Sequence, residues 1–439
     1  VMTKKLYIQT YGCQMNDHDS ERMAGLLEPD GYTVTDRMDD ADLILMNTCS
    51  IRDKAEQKAF SELGRIRELQ RQRPELIVGV AGCMARQEGA ALLERHPWIR
   101  LVFGSKQIDR LPGLLRESTG SGRAVIALDD PIGIAPTLPA RRKPGVRAWV
   151  SIMEGCENRC SFCVVPHSRG RERSRLSGEI VEEVRELARQ GYREVTLLGQ
   201  NVNSYGRTST EGTDFAGLLS RLDGIEGLDR IRFTTSHPSA VTDRMIRAMA
   251  ELPSVCEHLH LPLQSGSDRI LERMNREYTR GDYRRKVEAL RRAVPGLALT
   301  TDIIVGFPGE TEEEFEETLE AVAEFGFTGL FAFKYSKRPH TPALELDGQL
   351  DEAVKAVRLQ RLLALQQELV AERQRSLVGT IQDVLFEGTS QSMPGRLFGR
   401  TRANDQLHVE AQASLIGRLS RVAVTQRRAH RLEGVLSAA

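Results

Sequence analysis

Short continuous apolar runs alternate with longer stretches of helical periodicity along most of the chain. KLYIQT, DLILMN and LIVGVA read as buried strands, with amphipathic segments such as 51–72 and 85–95 between them. Strands that alternate with helices pack as a parallel sheet, so an α/β domain is expected over 1–118. The alternation pauses over 119–141, where Gly, Pro, Ser and charged residues accumulate, and that composition reads as a linker. It resumes over 142–375 with VRAWVSI, EVTLLG, RIRFTT, HLHLPL, ALTTDIIVG and TGLFAFKY, separated by helical patterns such as 178–191, 239–251 and 310–326. Six such units predict a partial (β/α)6 barrel. Residues 351–375 predict a long amphipathic helix, with Leu359, Leu362, Leu365 and Leu369 near helical spacing. Over 376–439 the period falls to two, in TIQDVLFEG, LFGRTR, LHVE, LIGRLSRVAVTQ and RLEGVL, which predicts a small all-β barrel. The expected fold class is therefore α/β, with a parallel-sheet domain, a partial barrel and a C-terminal β module.

Composition narrows the class further. The chain has 439 residues, 40% hydrophobic and 28% charged, enough for a sizeable core in more than one domain. Its formal net charge is zero, so any nucleic-acid surface must be local. VMTKKLYIQTYGC has no apolar core of a secretory signal, and no window approaches the roughly 18 uncharged apolar residues of a membrane span. A cytoplasmic protein is expected, in which seven cysteines are metal ligands or catalysts rather than disulfides.

The cysteines sort by domain. Cys13, Cys49 and Cys83 each fall two or three residues beyond a predicted parallel strand. Open parallel sheets gather ligands outside the carboxyl ends of their strands, so three thiols would converge at one edge as a metal site. Cys156, Cys160 and Cys163 follow the first strand of the barrel-like region in GCENRCSFC. With His167 they could form a tetrahedral Cys3His zinc site. Iron–sulfur clusters instead take thiolates and normally four of them, so three would leave one iron open for a substrate or cofactor. Cys256 has no partner at ligand spacing and is expected to be a buried thiol.

Cys-x3-Cys-x2-Cys with Phe162 before the last cysteine, after a barrel's first strand, resembles the radical S-adenosylmethionine (SAM) superfamily. In that family SAM chelates the open iron, and an electron from the reduced cluster cleaves it to methionine and a 5′-deoxyadenosyl radical. Nearly end to end, the chain resembles the methylthiotransferase branch. YGCQMND, NTCSIRDKAEQK, GCMA, SRGRERSR, LLGQNVNSYG, SHP, LPLQSGSD, DIIVGFPGET and a closing OB-like module of the TRAM type carry that resemblance. It is most similar to the tRNA branch that adds a methylthio group to N6-isopentenyladenosine at position 37.

The resemblance implies two [4Fe–4S] clusters and SAM as cofactors. Cys156, Cys160 and Cys163 would hold the SAM-cleaving cluster. Cys13, Cys49 and Cys83 would hold an auxiliary cluster where a sulfide is methylated by a first SAM. A second SAM would supply the radical that abstracts the C2 hydrogen of adenine. The implied partners are a tRNA carrying N6-isopentenyladenosine and a low-potential electron donor, with no membrane; a monomer is expected. No sequence feature names the donor or the sulfide source. Relatives that act on threonylcarbamoyladenosine or a ribosomal-protein aspartate carry different residues around the first-domain cysteines. A non-enzymatic iron–sulfur RNA-binding or sensing protein is the third alternative.

Candidate SAM contacts lie at strand ends: Phe162 beside the last cysteine, Gln200 and Asn201, Ser236 and His237, Gln264 and Ser265, and the turn at Gly306. Residues 141–175 carry nine Lys/Arg against three Asp/Glu, so Arg169, Arg171, Arg173 and Arg175 are candidates for SAM carboxylate or RNA phosphate, against a plain solvated loop. In the β module Arg396, Arg400 and Arg402 alternate, which puts them on one face as candidate RNA contacts. YSKRPHTPA resembles a family loop, with Lys337 and His340 atypical there.

Overall fold

The computed structural model describes residues 3–48, 53–131, 134–429 and 431–437. Six parallel strands form the first sheet: β1 (Lys4–Tyr11), β2 (Tyr32–Val34), β3 (Leu43–Thr48), β4 (Ile77–Gly82), β5 (Leu101–Phe103) and β6 (Val125–Ala127). Their order is β2-β1-β3-β4-β5-β6. β3 is buried along its whole length, because Leu43 and Leu45 enter one core and Ile44 and Met46 the other. Side chains alternate across a strand, so a sheet with helices on both faces needs a continuous apolar run. Helices α1 (Gln14–Leu27), α2 (Asp53–Gln72) and α3 (Cys83–Glu88) follow β1, β3 and β4.

The expected linker over 119–141 is corrected. A helix, Leu111–Ser121, runs into it, and β6 pairs with β5 as the sixth strand. The rest crosses the molecule as a strap: Pro136 O accepts from Arg22 Nη2 at 3.0 Å, and Arg141 N donates to Glu21 O at 2.8 Å. Gly and Pro marked the turns correctly, but three apolar residues suffice for an edge strand.

The central unit contains β7 (Arg147–Ser151), a short antiparallel pair β8 (Met153–Glu154) and β9 (Arg173–Ser174), then β10 (Glu194–Leu198), β11 (Arg230–Phe233), β12 (His258–His260), β13 (Ala298–Val305) and β14 (Gly329–Lys334). Six of these form two parallel halves, β11-β10-β7 and β12-β13-β14. A parallel bridge between Ile231 and Val255, with Cys256 N donating to Ile231 O at 3.0 Å, joins the halves into a partial barrel. The helix Glu352–Leu377 buries Leu362 in the central core, with Leu359, Leu365 and Leu369 packed alongside. Among the described residues no helix is long and apolar enough to cross a membrane.

Strands β15 (Ile381–Thr389), β16 (Leu397–Thr401), β17 (Gln406–Val409), β18 (Leu419–Arg428) and β19 (Arg431–Leu436) close into a barrel in the order β15-β16-β17-β19-β18. It docks under the central sheet at the strands' N-terminal ends. Arg230 Nη1 and Nη2 donate to Arg400 O and Asp383 O at 2.6 and 2.8 Å, and Arg232 donates to Arg402 O and Thr401 O at 2.8 and 2.7 Å. Arg232 Nε also lies 3.0 Å from buried Glu194. Removing one partner of a buried ion pair costs about 3–5 kcal/mol. Arg232→Met should lose that much in denaturant unfolding and speed amide exchange across the β15–β16 face; unchanged exchange there would refute this joint.

Candidate functional site

The loop carrying Cys156, Cys160 and Cys163 leaves β8 at the C-terminal end of the partial barrel. Its entry requires glycine. Gly155 has φ +79°, and a Cβ there would lie 2.0 Å from Arg171 O. Gly155 N donates to Gln200 Oε1 at 2.5 Å, and Cys156 N to Gly170 O at 3.2 Å. Arg276 Nη1 donates to Cys160 Sγ at 3.2 Å while its Nε donates to Tyr278 Oη at 2.9 Å. Burial pushes the thiol of Cys156 up to about 11 and that of Cys163 to about 12. These thiols therefore stay protonated until a metal displaces the protons, and a coordinating thiol is deprotonated outright.

The zinc alternative is not supported. The ring of His167 faces His340 with centroids 5.6 Å apart. Among the described residues no three His, Cys, Asp or Glu side chains converge on one ion. A four-iron cluster seats each thiolate on a different iron, so the all-thiolate loop beside a fixed guanidinium fits it better. His340, flagged as atypical by sequence, has φ +64° in the left-handed region that favours glycine.

Three expected SAM contacts share one property. Asn201 Oδ1, Ser236 Oγ and Gln264 Oε1 are buried side-chain atoms without a hydrogen-bond partner. Their residues are 3%, 4% and 7% exposed and follow β10, β11 and β12. Each unsatisfied buried group costs about 1–3 kcal/mol, so three at adjacent strand ends mark a place for a polar ligand. The backbone is strained there too, with φ +68° at Thr235 and +74° at Gln264. His237 is pushed down to about 3 by burial and then by Arg276, so it is neutral; its ring packs edge-on to Tyr278 at 5.8 Å.

The other expected contacts have structural partners. Gln200 holds the cysteine loop through Gly155. Ser265 Oγ lies 3.3 Å from Thr318 Oγ1 and accepts from Ser267 N at 3.2 Å, which directs it to a helix. Gly306 has φ +70° and donates its N–H to Glu310 Oε2 at 2.7 Å. Phe162 packs against the cluster of Ile270, Met274, Ile304 and Phe307. Cys256 is buried, as expected.

In the first sheet, register brings the strand ends level: Tyr11 pairs with Thr48, and Thr48 with Gly82. Cys13 caps the start of α1, and Cys83 opens α3. Cys49, next after Thr48, lies outside the described residues. Gly82 has φ +87°, and a Cβ there would meet Asn47 Oδ1 and Thr48 O at 2.6 Å. Asn47 Oδ1 accepts from Asn16 Nδ2 at 3.1 Å, and Asn16 Oδ1 accepts from Cys13 Sγ at 3.3 Å.

Segment 168–175 connects this edge to the barrel loop, and here the solvated-loop reading of the arginines is corrected. Arg169 donates to Asp19 Oδ2 at 2.9 Å, Arg175 Nη1 lies 2.7 Å from Glu183, and Arg173 pairs with Glu154; all three arginines are buried. Only Arg171 is exposed, and its carbonyl accepts from Lys106 Nζ at 2.7 Å. Arg86 Nε donates to His167 O at 2.6 Å. Asp19 lies 150 positions from Arg169, and a count of charges cannot show that nearby Glu154 and Glu183 are buried against Arg173 and Arg175, so by sequence the buried pairs read as an open basic loop.

A model described as "Radical SAM superfamily" matches residues 150–322, and one described as "Uncharacterized protein family UPF0004" matches 5–104. The tRNA-2-methylthio-N(6)-dimethylallyladenosine synthase of Thermoanaerobacter sp. (strain X514) is 46% identical over 99% of this chain and 93% of its own length. The synthase of the same name from Carboxydothermus hydrogenoformans is 47% identical over 99% of both chains, and that from Bordetella avium 48% over 98% of this chain and 92% of its own. The chain belongs to this family. Its fold is shared with the radical SAM methyltransferase TsrM from Kitasatospora setae, at TM-score 0.59 and 17% identity over 87% of this chain and 77% of that one. The cobalamin-dependent SAM radical enzyme OxsB aligns at TM-score 0.54 and 13% identity, over 84% of this chain and 56% of its own.

Three site residues of this family member escaped sequence reasoning: Gly155, Arg276 and Asp19. Gly155 carried a signal, since a glycine between a strand and a cysteine loop marks a tight entry. Gly155→Ala should empty the 156–163 loop, lowering reconstituted iron by about four per chain. Gly64→Ala, on α2 with nothing within 4 Å of the added Cβ, is the control and should leave iron unchanged. Equal iron in both variants would refute the requirement for glycine.

Proposed function

We propose that the chain adds a methylthio group to carbon 2 of N6-isopentenyladenosine at position 37 of tRNA, using one SAM as methyl donor and one as radical source. The near full-length identity to synthases of that name carries this reading, in a chain that contains both cysteine trios. Cys156, Cys160 and Cys163 would hold one [4Fe–4S] cluster, which when bound supplies the electron that cleaves SAM. Arg276 keeps a positive charge at Cys160 and offsets part of the thiolate charge. Asn201, Ser236 and Gln264 would take the polar groups of SAM, and neutral His237 with Tyr278 forms a dry wall that excludes water. Cys13, Cys49 and Cys83 would hold the second [4Fe–4S] cluster, which would supply the site for the sulfur to be transferred.

The ion pairs of the expected arginines favour a different face for RNA contact. Arg400 pairs with Glu387 at 2.5 Å, Arg402 with Glu257 at 2.7 Å and Arg396 with Glu433 at 2.6 Å, and the first two sit in the joint with the central sheet. Arg418, Arg421 and Arg431 are exposed arginines of the barrel and suit phosphate, while exposed Arg428 lies 3.6 Å from Glu433. A loop base splayed out of the RNA can then enter the cysteine-lined end. A cytoplasmic monomer served by a low-potential electron donor completes the proposal.

Two experiments test these assignments. Anaerobic reconstitution should give about eight irons per chain, falling to about four when Cys13, Cys49 and Cys83 are all alanine. SAM cleavage should survive in that variant while methylthiolation of tRNA is lost. Wild type with about four irons, and a variant that matches it, would show the first-sheet thiols to be structural. Ser236→Ala should stabilise the metal-free chain by about 1 kcal/mol and weaken SAM binding, because it removes an unpartnered hydroxyl. A destabilised variant with unchanged SAM affinity would remove Ser236 from the site.

A further inference from the structure

Arg169 stands six residues after Cys163, yet its side chain crosses into the first sheet's unit. It is 3% exposed. Its Nη2 donates to Asp19 Oδ2 at 2.9 Å, whereas its buried Nη1 has no hydrogen-bond partner. Asp19 belongs to α1, the helix that Cys13 caps. Arg22 Nη1 lies 3.8 Å from Asp19 Oδ1, so two buried guanidiniums face one carboxylate. A buried cation without full compensation is costly, and so is an unpartnered buried N–H. The segment reaches both cysteine-bearing helices: Arg169 meets Asp19 on α1, and Arg86 on α3, the helix that Cys83 opens, donates to His167 O two residues before Arg169. Burial opposes the charge on Arg169, and Asp19 is the first group that holds it ionised. The remaining charged neighbours are already matched, Arg173 with Glu154 and Lys106 with Asp130 at 2.9 Å.

We propose that Arg169 is a positioning residue of the auxiliary site, whose free Nη1–H donates to a sulfur of the anionic group held by Cys13, Cys49 and Cys83. The inference rests on the two-cluster reading. A fixed buried cation stabilises the more negative, reduced form of that group and so raises its potential. Because Arg169 rides on the segment that follows Cys163, the contact that docks the two units also sets this potential. A structural clamp alone would leave the potential unmoved.

The test uses the full-length chain with Cys156, Cys160 and Cys163 changed to alanine, so that iron reports the auxiliary site alone. After anaerobic reconstitution and an iron count, its midpoint is read by EPR-monitored titration. Arg169→Gln should retain about four irons. At a fixed potential it should show at least a tenfold lower ratio of reduced to oxidised cluster, a fall of 59 mV for one electron. Arg169→Lys should recover most of the loss. An unmoved midpoint with iron retained would overturn the proposal and leave a clamp. If Arg169→Gln loses iron, Asp19→Asn is read instead: removing the competing carboxylate should raise the midpoint, and no rise overturns the proposal. A background chain that takes up no iron would sink the two-cluster reading itself, and this inference with it.

Discussion

The architecture depends on a buried charged seam along segment 168–175. Two parallel sheets present the carboxyl ends of their strands to this segment, one carrying Cys13 and Cys83 and the other the 156–163 loop. Arg169 with Asp19 and Lys106 with the carbonyl of Arg171 tie the two edges together, while Arg173 with Glu154 and Arg175 with Glu183 anchor the segment to the central unit. Buried pairs of this kind contribute little net stability over apolar packing. They do fix orientation, because a misplaced seam would leave several charges buried and unmatched. Two cysteine sites facing one segment require such fixed geometry.

The same region combines three kinds of local departure from good packing. Asn201, Ser236 and Gln264 carry unpartnered buried atoms, Thr235 and Gln264 adopt left-handed backbone, and the cysteine loop is entered through a conformation that excludes any Cβ. Elsewhere in the central core the strands and helices bury continuous apolar surface, which supplies the stability that offsets this strain. Strain and orphaned polar groups at one end of a well-packed sheet are what a pre-organised ligand site looks like before its ligand arrives.

The small β-barrel lies at the other end. Its docking uses Arg147, Arg230, Arg232 and Arg402 against Glu194, Glu257, Glu387 and backbone carbonyls. Polar docking through backbone carbonyls sets the barrel's orientation and directs Arg418, Arg421 and Arg431 outward.

Parallel sheet direction, three strands of the first sheet and the placement of Cys13 and Cys83 at strand ends were legible in the sequence, because they rest on local periodicity and on spacings of a few residues. By contrast β2, β5 and β6, three residues each, carry too little periodicity to be read. Thiols at strand ends needed only the rule that parallel strands share one carboxyl edge. The tertiary structure alone decided which charges were buried and where the β-barrel sat. Arg169 meets Asp19 across 150 positions, Arg276 meets Cys160 across 116, and Arg230 meets the barrel across 170. An arginine's stem and head look alike in sequence whether it faces water, RNA or a buried carboxylate. No periodic signal links partners so far apart, so only folding could sort the arginine-rich loop into ion pairs and leave one buried N–H of Arg169 without a partner.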